Sequence, residues 1–490
     1  MKRTMNTLVY IFLLLAVVVA NMIAGDDIDR TKRPAGKAAP KVQLPDIQKA
    51  TLKNGLNVWL VEHHELPTVA FNLVIQSGSD HDAIANMPGI ASVTADMLDE
   101  GTSTRSSLQI AEELEDIGAN LGTNSSYDGS FVTLNTLVKH LDKALAVYAD
   151  VITHPSFPEK DFERIRKQRL TALVQQRDQP VTIANNAFSY LLYGPNHPYG
   201  NNAAGTEASL KSMTIADMKK FYSTYYRPNN ATLVVVGDVK LSDITSKLEA
   251  AMPGWEKGVV PAYAIPEPKS ADKMRVYLVD KPGAPQSEVR IGYPALARNT
   301  PDYFPVLEMN RLLGGQFTSR INLNIREKHG FTYGANSSFR FQKGAGPFTA
   351  QGGIVTEKTD SALKEFVNEI GLMKEKGMSP SELDFVKKGL IGSFALSFET
   401  PAQIAGALQN VVLYGLPENY YSSYLQNIEA VSVEDVNRVA KNYLDLSKMA
   451  MVVVGDLSKI KESVTAMNFG EVILCDLDGK PLPYIENQKK

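Results

Sequence analysis

Apolar and polar positions alternate with a two-residue period in several short runs, and these predict strands. LNVWLVEH (56–63) and TVAFNLVIQSG (68–78) read as a hairpin turning through His64-Glu65-Leu66-Pro67. SFVTLNTL (130–137) is a further strand, and MRVYLVD (274–280) and SEVRIGYPA (287–295) open the second half of the chain in the same manner. Long charged helices separate the runs. The pattern predicts an α+β fold, with mostly antiparallel sheets covered by helices.

The pattern repeats. TIADMKKFYSTYYRPNNATLVVVGD (214–238) and SVEDVNRVAKNYLDLSKMAMVVVGD (432–456) align without a gap. In each copy Thr214 or Ser432 is an N-cap for an amphipathic helix, and a polar turn and a β-branched strand ending at Gly-Asp follow. A looser match pairs FPEKDFERIRKQRLTALVQQRDQP with MSPSELDFVKKGLIGSFALSFETP. Two homologous halves follow, residues 46–255 and 271–470. Between them EKGVVPAYAIPEPKS (256–270), with Pro261, Pro266 and Pro268, reads as an extended linker. Residues 25–45 are polar and rich in Pro, Ala and Lys, a disordered lead-in. Residues 471–490 read as a C-terminal tail.

A chain of 490 residues with 44% hydrophobic and 21% charged content exceeds one ordinary core and suits a globular protein. Its N-terminus differs. Lys2 and Arg3 precede an uncharged run from Leu8 to Ala20, with small-residue cleavage sites at Ala20 or Ala24. Residues 1–24 therefore read as a secretory signal peptide, and the mature chain is expected in the periplasm. The alternative is an uncleaved anchor, Leu8–Ala24 lying at the short limit for spanning a bilayer; a membrane is a partner only in that case. Without residues 1–24 the chain carries 49 basic against 54 acidic groups, a net charge of about −5, which argues against nucleic acid as a partner. Cys475 is the only cysteine, so there is no intramolecular disulfide and no Cys-based metal site. None of the seven histidines forms an i, i+4 pair, and they read as loop residues.

The stretch Gly89–Thr102, GIASVTADMLDEGT, resembles the zinc helix of the insulinase/pitrilysin-type M16 metallopeptidases, G-L-A-H-x-x-E-H-M-L-x-x-G-T. On that frame the two His positions are Ser92 and Asp96, and the Glu position is Ala95. The third ligand, a Glu on a later helix, corresponds to Ala172 (Leu173 by plain counting) in RLTALVQQRD. Two imidazoles on one helical face and a neighbouring carboxylate are what zinc and its activated water require. This chain has none of them, so no cofactor is expected here. YGPNHPYG (193–200) and Gly205-Thr206 also fit the family's pattern. The resemblance spans roughly residues 45–465. It implies two halves facing each other as a clam shell, with peptide bound between them.

Downstream, RINLNIREKHGFTYGANSSF keeps Arg326 and Tyr333, which resemble the family's substrate-clamping pair. Thr318 or Ser319 would cap a short helix through Lys328, Gly330 would take the left-handed position after it, and Tyr333 would begin a strand. A guanidinium and a phenol aimed at a developing oxyanion are each worth roughly 2–4 kcal/mol. The resemblance thus implies a non-catalytic, substrate-binding subunit of a periplasmic zinc endopeptidase. It would supply Arg326 and Tyr333 in trans to an H-x-x-E-H-bearing partner that holds the zinc, in a heterodimer or larger assembly acting on peptides. The alternative is a scaffold or peptide-binding protein of the same fold with no peptidase role.

Overall fold

The computed structural model describes residues 46–269 and 271–483. The segments read as signal peptide and lead-in lie outside the described residues, as does the end of the tail. No helix among the described residues is long and apolar enough to cross a membrane.

Two six-stranded sheets carry the fold. The first is built from β1 (Gln48–Thr51), β2 (Asn57–Glu62), β3 (Thr68–Ile75), β4 (Asn120–Ser125), β5 (Ser130–Leu137) and β6 (Ala231–Gly237), in the order β1-β2-β6-β3-β5-β4. The second is built from β7 (Arg275–Asp280), β8 (Gln286–Leu296), β9 (Thr332–Phe339), β10 (Gly346–Val355), β11 (Ala450–Gly455) and β12 (Glu471–Cys475), in the order β12-β7-β11-β8-β10-β9. The expected α+β class and duplicated, mostly antiparallel architecture are met. The helices used below are α1 (Ile90–Asp96), α2 (Glu159–Gln176), α3 (Pro180–Tyr193), α4 (Ile215–Tyr225), α5 (Tyr303–Leu313), α6 (Pro380–Phe394), α7 (Pro401–Tyr414) and α8 (Val433–Tyr443). Thr214 caps α4 and Ser432 caps α8, each in a reciprocal pair with the Asp three residues on.

Two sequence expectations need correction. β2 and β3 do not form a hairpin: β6 lies between them, parallel to β2 (Val58 opposite Leu233) and antiparallel to β3 (Phe71 opposite Val235). The second half repeats this, with β11 between β7 and β8. The VVVG run is apolar on both faces, so it takes the central position where both faces are buried. Glu471–Cys475 is not tail but the sixth strand of the second sheet, parallel to β7, and Leu482 N returns to Leu474 O at 2.8 Å.

The helices that cover these central strands explain the apolar run. On one face of the first sheet, Leu233 and Val235 join Val58, Leu60, Phe71 and Leu73 in the core of their own half. On the other face, Val234 and Val236 pack with Val61 and Ala70 under Ile404, Ala405, Leu408 and Val411 of α7, a helix from the second half. The exchange is reciprocal. Val452 and Val454 of β11 lie under Ile183, Ala184, Ala187 and Phe188 of α3, from the first half. The two helices share a signature, Pro180/Pro401, Ile183/Ile404, Ala184/Ala405, Leu192/Leu413, Tyr193/Tyr414 and Gly194/Gly415. The proline sits in the first helical turn of both.

Polar contacts fix the same joint. Asn72 Nδ2 donates to Gln409 Oε1 at 3.1 Å, and Arg290 Nε donates to Asn185 Oδ1 at 2.8 Å. The β9–β10 loop reaches into the first half: Lys343 N donates to Asp128 Oδ2 at 3.1 Å, Lys343 Nζ to Gln76 O at 3.1 Å and Gly344 N to the Tyr199 hydroxyl at 3.0 Å. Residues 256–269 run without helix or strand but stay in contact with the first half, His197 Nε2 donating to Pro266 O at 2.8 Å.

One group in the second core carries a titration. Glu308 of α5 is fully buried and neither carboxyl oxygen has a hydrogen-bond partner. Burial pushes its carboxyl from 4.5 up to about 8, Lys387 pulling the other way. A carboxyl raised in the folded state favours folding fully below its unfolded value. That contribution falls as pH rises from about 4.5 through about 8. Glu308→Leu should therefore raise stability at pH 8 by roughly 1–3 kcal/mol and flatten the fall in Tm between pH 5 and 8. Thermal unfolding of both proteins across that range checks it, and an unchanged slope counts against a buried, protonated Glu308.

Candidate functional site

The site begins with the short helix α1. Gly89 precedes it at φ 90°, where a Cβ would lie 2.6 Å from Gly205 Cα, so only glycine fits. Asp82, buried, holds the helix start by accepting from Gly89 N at 2.7 Å and Ala91 N at 3.0 Å. Ser92 and Asp96 then fall one turn apart, while Ala95 turns into the core.

The two positions where histidines would bind zinc are bonded to an arginine instead. Arg169 Nη2 donates to Ser92 Oγ at 2.8 Å and to Asp96 Oδ2 at 2.5 Å. Its Nη1 donates to Ala204 O at 3.1 Å, and the side chain is only 15% exposed. Arg169 lies on α2, one helical turn before Ala172, the counterpart of the third ligand. A guanidinium therefore holds the oxygens available at Ser92 and Asp96 and supplies the positive charge the carboxylate needs. One hydroxyl and one carboxylate already committed to an arginine do not fit zinc, which takes three or four N, S or O ligands at about 2.0–2.3 Å. No group of three His, Cys, Asp or Glu among the described residues could hold a metal.

A shallow recess of about 300 Å³ flanks this cluster, lined by Asp96, Asp99, Thr123, Arg164 and Arg169. Burial pushes the Asp99 carboxyl up to about 6, and Thr123 Oγ1 of β4 donates to it at 3.3 Å. The cluster thus lies against β4, the edge strand of the first sheet. β4 makes no backbone hydrogen bond on its outer side among the described residues. The matching edge of the second sheet, β9, is capped: Ser337 N donates to Gly314 O at 3.1 Å, Asn310 Nδ2 to Ser337 O at 3.0 Å and Ala335 N to Asn322 Oδ1 at 3.2 Å.

Ser319 precedes the helical segment Arg320–Asn322, which continues as a π-helical turn, Leu323–Lys328, and Gly330 follows at φ 66°. Arg326 in that turn pairs with Glu327 at 3.3 Å, its guanidinium 4.6 Å from the Phe317 ring centre. Tyr333 sits at an irregularity in the β9–β10 register, is 92% exposed, and its hydroxyl makes no hydrogen bond among the described residues. Neither residue bonds to Ser92, Asp96 or Arg169.

One histidine read as a solvated loop residue is otherwise: His81 is buried, its Nδ1 2.5 Å from Asp80 Oδ1. His64 is an exposed loop residue as expected, bridging Asp238 at 2.6 Å and Glu62 at 3.1 Å. Arg169 is the residue of this cluster that sequence reading passed over. It opens the very stretch RLTALVQQRD compared with the third ligand, and its signal was an arginine one turn from the missing carboxylate.

Comparison with known proteins agrees with this geometry. Residues 57–197 match the family model described as Insulinase (Peptidase family M16), and residues 212–390 match Peptidase M16 inactive domain. The chain is 27% identical over 406 residues to the "Non-peptidase homolog YmxG" of Helicobacter pylori, covering 82% of this chain and 92% of that protein. It is 24% identical over 414 residues to the "Zinc protease PqqE" of the same species, covering 82% and 90%. The crystal structure of the peptidase M16 inactive domain from Pseudomonas fluorescens superposes with a TM-score of 0.79 at 29% identity, covering 84% of this chain and 98% of that one.

Arg169→Ala should cost roughly 1 kcal/mol of stability, since the pair with Asp96 is partly exposed, measured by thermal unfolding. A chain rebuilt with Ser92→His, Asp96→His and Ala172→Glu should bind zinc about tenfold or more weakly with Arg169 than with Arg169→Ala, because a cation adjoins the metal. Equal zinc affinity in the two rebuilt chains would show that the guanidinium does not hold the metal's place.

Proposed function

Because the chain belongs to the insulinase-type M16 peptidase family and is of its inactive kind, we propose that it is the non-catalytic, substrate-binding subunit of a periplasmic zinc endopeptidase. Its partner would be an M16 subunit with an intact H-x-x-E-H helix, which holds the zinc and activates the water. This chain would supply Arg326 and Tyr333 across the interface, the guanidinium and the phenol donating to the oxyanion that forms as the peptide bond is attacked.

The observation that carries the reading is a contrast. The first half has closed its metal site around Arg169, while Tyr333 of the second half stands 92% exposed with its hydroxyl unengaged. A phenol in that state has no structural duty among the described residues. A non-peptidase homologue and a zinc protease, both similar to this chain, occur in Helicobacter pylori, which supports a two-subunit reading.

A peptide-binding role without a peptidase partner is the second reading, and the open β4 edge favours it. An extended peptide adding to β4 would be read through its backbone, with side chains reaching the recess beside Asp99 and Arg169.

The two readings separate by experiment. In a complex reconstituted with the zinc-bearing subunit, Arg326→Ala or Tyr333→Phe should lower kcat/KM by about 10- to 1000-fold with the partner's zinc content unchanged. Unaltered turnover would sink the role in trans. Under the second reading, the isolated chain should bind an extended peptide, and N-methylation of alternate backbone amides in that peptide should abolish binding.

A further inference from the structure

Arg298 follows β8 and is 9% exposed, yet it makes no ion pair among the described residues. This is unusual for a buried cation, which is costly to desolvate unless it is paired. The other buried arginine in this sheet, Arg290, has Glu288 at 3.1 Å. Arg298 has aromatic rings instead. Its guanidinium lies 3.7 Å from the Tyr303 ring centre and 5.0 Å from that of Tyr420, and Nη2 donates to the Tyr420 hydroxyl at 2.7 Å. Its backbone N is tied to Gln342 O at 2.7 Å, which fixes the main chain there.

These groups line a cavity of about 410 Å³. The remaining walls are flat and aromatic, with Phe341, Phe394, Phe398 and Tyr424 among them. Tyr424 stacks on Phe394 with ring centres 5.0 Å apart, and Phe398 meets Tyr421 edge-on at 5.2 Å. Asn410, Tyr414 and Tyr421 add polar groups to the lining. Burial pushes the Tyr421 phenol up to about 12 and raises those of Tyr420 and Tyr424 as well, so these hydroxyls remain protonated donors.

A cage of rings suits a cation when it is empty of charge. Here a cation is already built into the wall, so a second one is repelled. The planar guanidinium has five N–H donors, and a carboxylate matches its fork. The volume is near the lower end for small-molecule sites, room for about one ring and a short tail.

We infer that this cavity binds an aromatic carboxylate, its carboxylate on Arg298 and its ring against the tyrosine and phenylalanine walls. The ligand has two possible sources, a free aromatic acid or the C-terminal aromatic residue of a peptide, and the chemistry is shared. The site does not depend on the proposed role in proteolysis, because none of its residues belongs to the α1–α2 cluster or to the Arg326 and Tyr333 pair.

Titration calorimetry on the full mature chain tests this with 3-phenylpropionate, 3-phenylpropanamide and the peptide Gly-Gly-Phe. One site is expected, with the acid bound about tenfold or more tightly than the amide. Arg298→Gln should erase that preference. Ser397→Trp, a bulky side chain at an exposed lining position, should weaken the acid about tenfold, and so keeps the test sound if Arg298→Gln fails to fold. Tighter binding of Gly-Gly-Phe assigns the site to chain ends, and tighter binding of 3-phenylpropionate assigns it to free acids; either supports it. Equal affinity for acid and amide, no binding of any of the three, or binding untouched by Ser397→Trp overturns it.

Discussion

Each sheet has one face that only the other half of the chain can bury, and the rest of the structure follows from that. Val234 and Val236 lie under α7, and Val452 and Val454 lie under α3. Remove either half and the partner sheet exposes its most β-branched strand to water, at roughly 25 cal/mol for every Å² uncovered. Each half therefore depends on the other to bury its sheet. This dependence also constrains motion. The joint is closed by two helices and by the inserted Lys343–Gly344 loop, so any movement between the sheets has to leave that end intact.

The lost metal site keeps one of a metal's duties. In the family pattern a zinc ion would join the helix bearing the two histidines to the later helix bearing the third ligand. Arg169 joins the same two helices, α1 and α2, through Ser92 and Asp96. The cross-link survives while the Lewis acid does not. A guanidinium has no vacant orbital for water and no open coordination position, so water near Arg169 stays far from the acidity that zinc would give it. Asp96 makes sense in this light: it is a poor zinc set by itself and a good partner for an arginine.

Strands, caps and duplication were legible in the chain because they rest on local signals. Thr214 and Ser432 announce their helices by a side chain three residues from its partner. The pairing of strands was not legible, since β6 reaches its place between β2 and β3 from well over a hundred residues away and nothing near His64 or Pro67 records its arrival. The exchange of α3 and α7 left a readable trace in Pro180/Pro401 and Ile183/Ile404, but sequence repeats say that two segments are alike, not which sheet each will cover. The absence of zinc ligands could be read from Ser92, Ala95 and Asp96, whereas the arginine that replaces the ion could not. An arginine on a charged helix resembles every other solvated arginine until α1 is seen beside it. Arg298 is a similar case, with ring partners more than a hundred residues apart in Tyr303 and Tyr420.

The two sheet edges divide the remaining functional possibilities. Edge strands left bare invite association, and proteins ordinarily blunt them. This chain blunts β9 with Gly314, Asn310 and Asn322 and leaves the outer side of β4 without a backbone partner among the described residues. A duplicated fold that protects one edge and spares its counterpart has not merely failed to cover both. Backbone groups are on offer at β4, beside a recess that carries Asp99 and Arg169 but no metal, while side chains are on offer at the start of β9, where Tyr333 projects. On the proposed readings, binding a strand and assisting a reaction would fall to different halves. The first would hold an extended chain without cutting it, and the second would contribute donors only where another protein brings the nucleophile.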